Sequence, residues 1–293
     1  APHSAAPSKY AQGIPPRGYK SGTVPGLVST WFEAHARYGK LPISRLLKQA
    51  ITYAHAGFPA NEGFVRLLKD HLESEPTTQI FKDMGVDRDV KVGDLVIQRD
   101  LARSLQEIAN QGRAAFYEGR IAQQLVKGSE GWFNSEDLKS HQTRVLDPLA
   151  INYRGLTIYG QPPPSQGMIL MEELLINERF SLADLTEVDR IHIGVESKKI
   201  GFADRYEILA DHEMVEVNVA NVLSRKNIDK RSAQISMDTP AHDIHPVDEG
   251  RDTTYFLVAD GEGNAVSWIQ SVFRGFGSSW VIPETGIVLN NRL

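Results

Sequence analysis

Apolar residues recur at helical spacing through most of the chain and switch to the alternation of strands near its end. From Leu27 to Ala56 the positions Val28, Trp31, Phe32, Leu46, Leu47, Ala50 and Ile51 keep a helical period, broken at Gly39-Lys40-Leu41-Pro42. Further helices are predicted around Ala60–Leu72, Arg99–Gln111, Gly119–Lys127 and Ser135–His141. Ala150–Tyr159 alternates and carries Tyr153, Leu156, Ile158 and Tyr159, which predicts a strand. After Pro162-Pro163-Pro164 an apolar helix is expected from Gly167 to Phe180, with Ser165 as its cap, and another from Glu187 to Leu209. Residues 221–252 predict a short helix and then a polar linker. Two strands follow, Thr253–Ala259 and Asn264–Val272, around the turn Asp260-Gly261-Glu262-Gly263. Residues 1–26, rich in Pro and Gly, predict a loop-like start. The order is a mainly helical region and then a β-hairpin, an α+β class without internal repeats.

Composition changes this picture little. The 293 residues are 41% hydrophobic and 24% charged, ordinary for a globular chain with a sizeable core. A net charge of −5 without a long basic run argues against nucleic acid or an anionic membrane as the main partner. No apolar run approaches the roughly 18 residues that a spanning helix needs. The absence of cysteine excludes disulfides, a thiol nucleophile and thiolate metal sites.

The candidate chemistry lies at the hairpin. Thr253 opens the first strand directly after the polar loop Ala241–Arg251. Cutting the Asp252–Thr253 peptide would leave a threonine with a nucleophilic Oγ and a free α-amine on adjacent carbons. That amine, with an ordinary pKa of about 8, can serve as the hydroxyl's own general base. Local sequence alone equally fits a β-branched residue that merely begins a strand.

The longer pattern distinguishes the two. Thr253-Thr254-Tyr255-Phe256, Asp260-Gly-x-Gly-Asn-Ala-Val-Ser267, Gln270-Ser271, Phe276-Gly277-Ser278 and Glu284-x-Gly286-Ile-Val-Leu-Asn290-Asn291 together resemble the γ-glutamyltransferase (γ-glutamyltranspeptidase) family. Upstream, Gly22-Thr23-Val24-Pro25-Gly26, His35-x-x-Tyr38-Gly39-x-Leu41-Pro42, Pro162-Pro163-Pro164-Ser165-x-Gly167 and Phe202-Ala203-Asp204-Arg205 continue the resemblance in family order. It implies an N-terminal-nucleophile hydrolase with a four-layer αββα sandwich, made as a precursor that cuts itself between Asp252 and Thr253. Residues 1–252 would then be the main portion of a large subunit and residues 253–293 the start of a small one. The two would form a heterodimer after processing. The family precursor extends beyond both ends of this chain. The resemblance therefore places a carboxylate-holding arginine before residue 1, and a paired-glycine oxyanion hole after residue 293. This portion on its own could then lack activity. The implied partner is a small-molecule amide, γ-glutamyl or a related dicarboxylic monoamide, with no cofactor and no metal. A cytoplasmic, periplasmic or secreted location is left open.

Ser271 stands where the family usually has a threonine whose hydroxyl bonds the nucleophile; alternatively it is a strand serine bonded to backbone. Thr254 would point to the opposite face and is read as structural. Phe273 and Arg292 depart from the pattern, since glutamyl-specific members carry an asparagine and a glutamine or glutamate at these places. Phenylalanine accepts nothing from an ammonium, and arginine repels one while attracting a carboxylate. The expected acyl donor thus lacks a free α-amine or carries its carboxylate differently, as in a dicarboxylic acid monoamide such as a glutaryl or oxamic amide, unless Arg292 is simply a solvated edge residue. Ser278 and Ser279 occupy a Gly-Ser-Ser turn and are read as loop residues that could line the pocket. Asp204-Arg205 fits either a buried pair or a helix-surface pair. His242-Asp243-x-His245 lacks a third ligand at metal-site spacing. Hydrolysis and transfer to an amine are not separable here, and a non-cleaving, non-catalytic binding member of the fold is the rival reading.

Overall fold

A computed structural model describes residues 1–210, 215–241 and 252–293, with Asp252 described by its backbone alone. Helices form where apolar period and end signals agree. The first two, α1 (Leu27–Tyr38) and α2 (Ile43–Ala56), part at the predicted Gly39–Pro42 break. There follow β1 (Phe58–Pro59), α3 (Glu62–Ser74), α4 (Ile80–Met84), β2 (Leu95–Val96), α5 (Arg99–Gln111), α6 (Arg113–Tyr117), α7 (Arg120–Gly128) and α8 (Ser135–Lys139). The Asn61 side chain caps α3 by accepting from Phe64 N, and Asn134 and Asp137 form a capping box on α8. Next come β3 (Leu149–Tyr153), β4 (Leu156–Gly160), α9 (Gly167–Asn177), α10 (Glu187–Ile208), α11 (Val219–Val222) and α12 (Arg225–Ser232). The chain ends with β5 (Asp252–Ala259), β6 (Ala265–Phe273), β7 (Val281–Ile282) and β8 (Ile287–Val288). The fold is mixed helix and sheet, and every sheet among the described residues is a two-stranded antiparallel pair.

Three local expectations need correction. The strand expected over Ala150–Tyr159 is a hairpin: β3 pairs with β4 about Arg154 (φ 51°) and Gly155 (φ 81°), the double left-handed turn that matches strand twist. Helices α4 and α6 were not anticipated. Each has five residues, too short to show a period, and each is held by burial of Ile80 and Phe81 or of Ala115, Phe116 and Tyr117. Ser165 does not cap α9; its hydroxyl donates to Gln161 Oε1, and Gln166 stands at the cap position.

The chain divides into two compact units, Ala1–Thr143 with Asp248–Leu293, and Arg144–Val247. In the first unit one core cluster joins Val28, Ile108, Phe116, Ile121, Leu125, Phe133 and Leu138 to Ile282 and Leu289. A second joins Val65, Leu68, Ile80, Phe81 and Val96 to Phe276 and Val281. Both clusters thus bury residues from beyond the β5–β6 hairpin against the early helices, which fixes where the hairpin ends. Tyr117 ties the loop before α1 to this core: its phenol donates to the Pro25 carbonyl (2.7 Å) and accepts from Ser29 N (3.1 Å). Burial pushes that phenol up to about 12, so it stays a neutral donor.

In the second unit, Met168, Ile169 and Val222 form the core around fully buried Glu172. Asp204 is buried too, paired with the Arg231 guanidinium rather than with its sequence neighbour Arg205. Burial first, then the adjoining Asp204 carboxylate, pushes the Glu172 carboxyl up to about 8, with Glu173 adding to the rise and Arg231 opposing it. Folded protein therefore holds a proton on Glu172 that unfolded chain releases near its ordinary value of 4.5. The stability this group contributes is complete below about pH 4.5 and is lost as pH rises through about 8. Glu172→Gln is expected to remove that slope, worth at most about 1.4 kcal/mol per pH unit. Its melting temperature, compared with wild type between pH 5 and 8.5, should fall behind less with each step. Parallel curves for the two proteins would refute the assignment.

Candidate active site

Pairing of β5 with β6 brings the chemistry together. Thr253 lies opposite Ser271, and Thr253 Oγ1 donates a 3.0 Å hydrogen bond to Ser271 Oγ. Ser271 Oγ also accepts from Phe273 N (2.9 Å), so it takes one bond from each strand end. The ladder is regular from Thr253 to Ala259 but shifts between Asp252 and Thr253: Asp252 pairs with Phe273, and Val272 is skipped. This bulge faces the peptide bond between Asp252 and Thr253. Phe273 takes φ +82°, a left-handed conformation that side-chain-bearing residues adopt under strain. For Asp252 the structure describes the backbone pairing; its side chain, like His242, Asp243 and His245, lies outside the described residues.

The segment after β6 is held from three directions. Arg17 donates from Nη1 to the carbonyls of Gly275 (3.1 Å) and Gly277, while its Nε pairs with Glu75. Ser279 Oγ lies 3.2 Å from the Nε2 of His71, whose ring is buried against Phe81 and Phe276. Burial lowers the His71 pKa, although Glu75 pulls it the other way. Gly277 (φ +54°) must be glycine, because a Cβ there would come within 2.3 Å of the Leu289 carbonyl. Ser278 is fully buried; its Oγ donates to that same carbonyl (2.9 Å), and it does not line the cleft described next. The substrate-binding place expected for Ser278 is thus not in this cleft, whose lining does not include it.

A cleft of about 550 Å³ lies between the Thr23–Trp31 segment, α5 and β6. Its lining includes Thr254, Gln270 and Ser271 from the hairpin and Asn290 and Arg292 beyond it. Thr253 is not in the lining; its hydroxyl reaches the rim through Ser271, whereas Thr254 belongs to the wall. Arg292 is the one charged residue among the described lining residues, in walls otherwise made largely by Val24, Val28, Trp31, Leu105 and Ile108. The Arg292 guanidinium sits 5.3 Å from the centre of the Phe273 ring, so the two departures from the family pattern touch each other. Asn290 sets the backbone from which Arg292 projects: its Oδ1 accepts from Thr23 N, Thr23 Oγ1 and Arg292 N, and its Nδ2 donates to the Thr23 carbonyl. Gly22 permits that approach, since a Cβ would fall 2.5 Å from Leu289. Sequence reasoning noted Asn290 and Asn291 as motif letters and assigned them no task; two adjacent amides just before Arg292 were the available signal. The described residues hold no group of three or more potential metal ligands, and no helix among them is long and apolar enough to cross a membrane.

Comparison with known proteins identifies the family. The family model for gamma-glutamyltranspeptidase matches residues 1–293. A "Glutathione hydrolase-like YwrD proenzyme" of Bacillus subtilis is 34% identical over 292 residues, covering 97% of this chain and 55% of that protein. An "Oxamate amidohydrolase proenzyme" of Klebsiella pneumoniae is 32% identical, covering 95% of this chain and 55% of that protein. Among solved structures, a cephalosporin acylase from Bacillus halodurans superposes with a TM-score of 0.83 at 31% identity, covering 95% of this chain and 53% of that one. The chain belongs to the gamma-glutamyltranspeptidase family. It spans about half the length of the curated relatives it matches.

The Thr253–Ser271 bond makes a direct prediction for the full-length precursor. Ser271→Thr, which keeps the hydroxyl, should cleave within about threefold of wild type, and Ser271→Ala should slow cleavage by about 10²-fold. Undiminished fragment formation by Ser271→Ala, followed on denaturing gels, would show that the contact has no chemical role.

Proposed function

We propose that this chain carries the nucleophile of a self-processing amidohydrolase built as the four-layer αββα sandwich, with Thr253 as the reacting residue and Ser271 as its hydrogen-bond partner. The 3.0 Å contact between their hydroxyls, opposite each other in the ladder, is the observation that carries the reading. In the precursor, Thr253 Oγ attacks the Asp252 carbonyl carbon, and the Asp252–Thr253 C–N bond breaks. The Oγ proton passes by way of the Ser271 hydroxyl, which gives up its own as it takes the new one, to the departing Thr253 nitrogen, so the shift neither gains nor loses a proton. Water then hydrolyses the resulting ester, leaving an Asp252 carboxylate and a Thr253 amino terminus. Large and small subunits remain together as a heterodimer.

In the processed form the new α-amine accepts the Oγ proton as Oγ attacks a substrate amide, and passes it to the departing amine. The acyl-threonine ester is released by water, or by a second amine in a transfer reaction. For the acyl group we favour a dicarboxylic monoamide without an α-ammonium. Support comes from Arg292, which offers a cation to a carboxylate, and from Phe273 beside it, which offers no acceptor to an ammonium. The names of two relatives, an oxamate amidohydrolase and a cephalosporin acylase, fit amide cleavage beyond glutathione.

Intact mass tests the nucleophile. Full-length wild type is expected as two fragments, the second beginning at Thr253; Thr253→Ser should cleave more slowly, and Thr253→Ala should stay whole. One persistent wild-type chain would favour the non-catalytic rival. For the substrate, the processed enzyme should turn over a glutaryl anilide about 10- to 100-fold better in kcat/KM than the γ-glutamyl anilide, and Arg292→Gln should erase most of that margin. Equal rates on the two anilides would sink the substrate assignment and leave the nucleophile standing.

A further inference from the structure

We propose that Asn291 is a positioning residue for self-cleavage, holding β6 in the bent form that keeps Ser271 on Thr253. The inference rests on the nucleophile assignment above. Three bonds run from Asn291. Its backbone N–H donates to the Val272 carbonyl (3.2 Å), its Oδ1 accepts from Arg274 N (3.1 Å), and its Nδ2 donates to the Pro16 carbonyl (3.1 Å). The residue is 8% exposed, so these partners take the place of water. Asn291 thereby grips both neighbours of Phe273 and fastens them to the N-terminal loop.

Phe273 is the strained link. Its φ of +82° is disfavoured for an aromatic residue, and it persists when the surroundings impose it. In this turn its N–H reaches Ser271 Oγ at 2.9 Å, and Ser271 Oγ in turn accepts from Thr253 Oγ1 at 3.0 Å. The residue that the ladder skips, Val272, is the one whose carbonyl Asn291 holds. Asn291 thus flanks Phe273 on both sides, by its backbone N–H at Val272 and by its side-chain oxygen at Arg274. The Phe273 N–H leads on to Ser271 Oγ and Thr253 Oγ1. The side-chain bonds to Arg274 and Pro16 are the ones that Asn291→Ala removes. Asn291 touches no reacting atom and exchanges no proton; it determines where the Ser271 lone pair points.

Glycine adopts φ +82° without a Cβ penalty, so it needs no external hold. This supplies a test that a general loss of packing would not pass. Full-length precursors of wild type, Asn291→Ala, Phe273→Gly and the double variant are followed by intact mass for appearance of the Thr253-initiated fragment. Asn291→Ala is expected to cleave about tenfold or more slowly than wild type. The double variant should cleave within about threefold of Phe273→Gly alone. Asn291→Ala cleaving like wild type overturns the proposal, as does a tenfold loss that persists in the Phe273→Gly background. Thermal melts identify a variant that has not folded. If Asn291→Ala fails there, folded Asn291→Asp, which keeps an oxygen for Arg274 N, is read instead. Asp loses the donor to the Pro16 carbonyl, so it too should cleave about tenfold more slowly than wild type and recover to within about threefold of Phe273→Gly when combined with it; wild-type-like cleavage by it counts against the proposal. A wild-type precursor that remains whole removes the nucleophile assignment and this inference together, a result distinct from fast cleavage by Asn291→Ala.

Discussion

The register of β5 on β6 is the constraint on which the site depends. Side chains alternate faces along a strand, so a slip of one residue would carry Ser271 away from Thr253 and put Gln270 in its place. Cross-strand hydrogen bonding sets this register, and the turn at its far end supports it. There Asp260 accepts from the backbone of Glu262 and Asn264 and from the Asn264 side chain, closing the hairpin tightly. The hydroxyl pair thus sits at the open end of a ladder whose closed end is fixed by local sequence. At the open end local sequence no longer decides, and the ladder gives way to a bulge.

What takes over there is distant chain. The segment from Pro16 to Thr23 precedes the hairpin by more than two hundred residues, yet it supplies the partners of Asn290, Asn291, Gly275 and Gly277. Gly18 N also donates to the Ser278 carbonyl, and Leu293 N to that of Ser21. These are mostly backbone groups satisfied by backbone or amide partners, as buried polar groups must be. Closing so long a loop costs entropy, and the two core clusters that join Ile282, Leu289, Phe276 and Val281 to the early helices offset it. Burial of the later residues and hydrogen bonding of the earlier ones act together, so strain at Phe273, Phe276 and Ser279 is sustained by contacts on every side.

The buried charges play a different part. Asp204 and Arg231 form a partly exposed pair in the second unit, with Glu172 held neutral beside them; no substrate chemistry is assigned to them. Arg292 stands in a largely apolar cleft lining in the first unit, beside the Phe273 ring, with no carboxylate in that lining among the described residues. The same residue type is tied into an ion pair in one place and set against an aromatic ring in a cleft wall in the other. The difference lies in whether a fixed carboxylate already occupies the guanidinium.

The sequence by itself determined most helices, the two strands around Asp260–Gly263, and Thr253 with Ser271 as the candidate pair. These are local or periodic features: caps, breaks at Gly and Pro, alternation, and a motif whose letters lie close together. Helices α4 and α6 and the turn at Arg154-Gly155 escaped, because five residues show no period and a left-handed arginine carries no compositional mark. Only tertiary structure revealed the contacts of Asn291, the left-handed backbone at Phe273, the choice of Arg231 over Arg205 as partner of Asp204, and the burial of Ser278 away from the cleft. Each of these joins residues distant along the chain, and pairwise contacts at that range are set by how elements pack rather than by the propensities of the residues themselves.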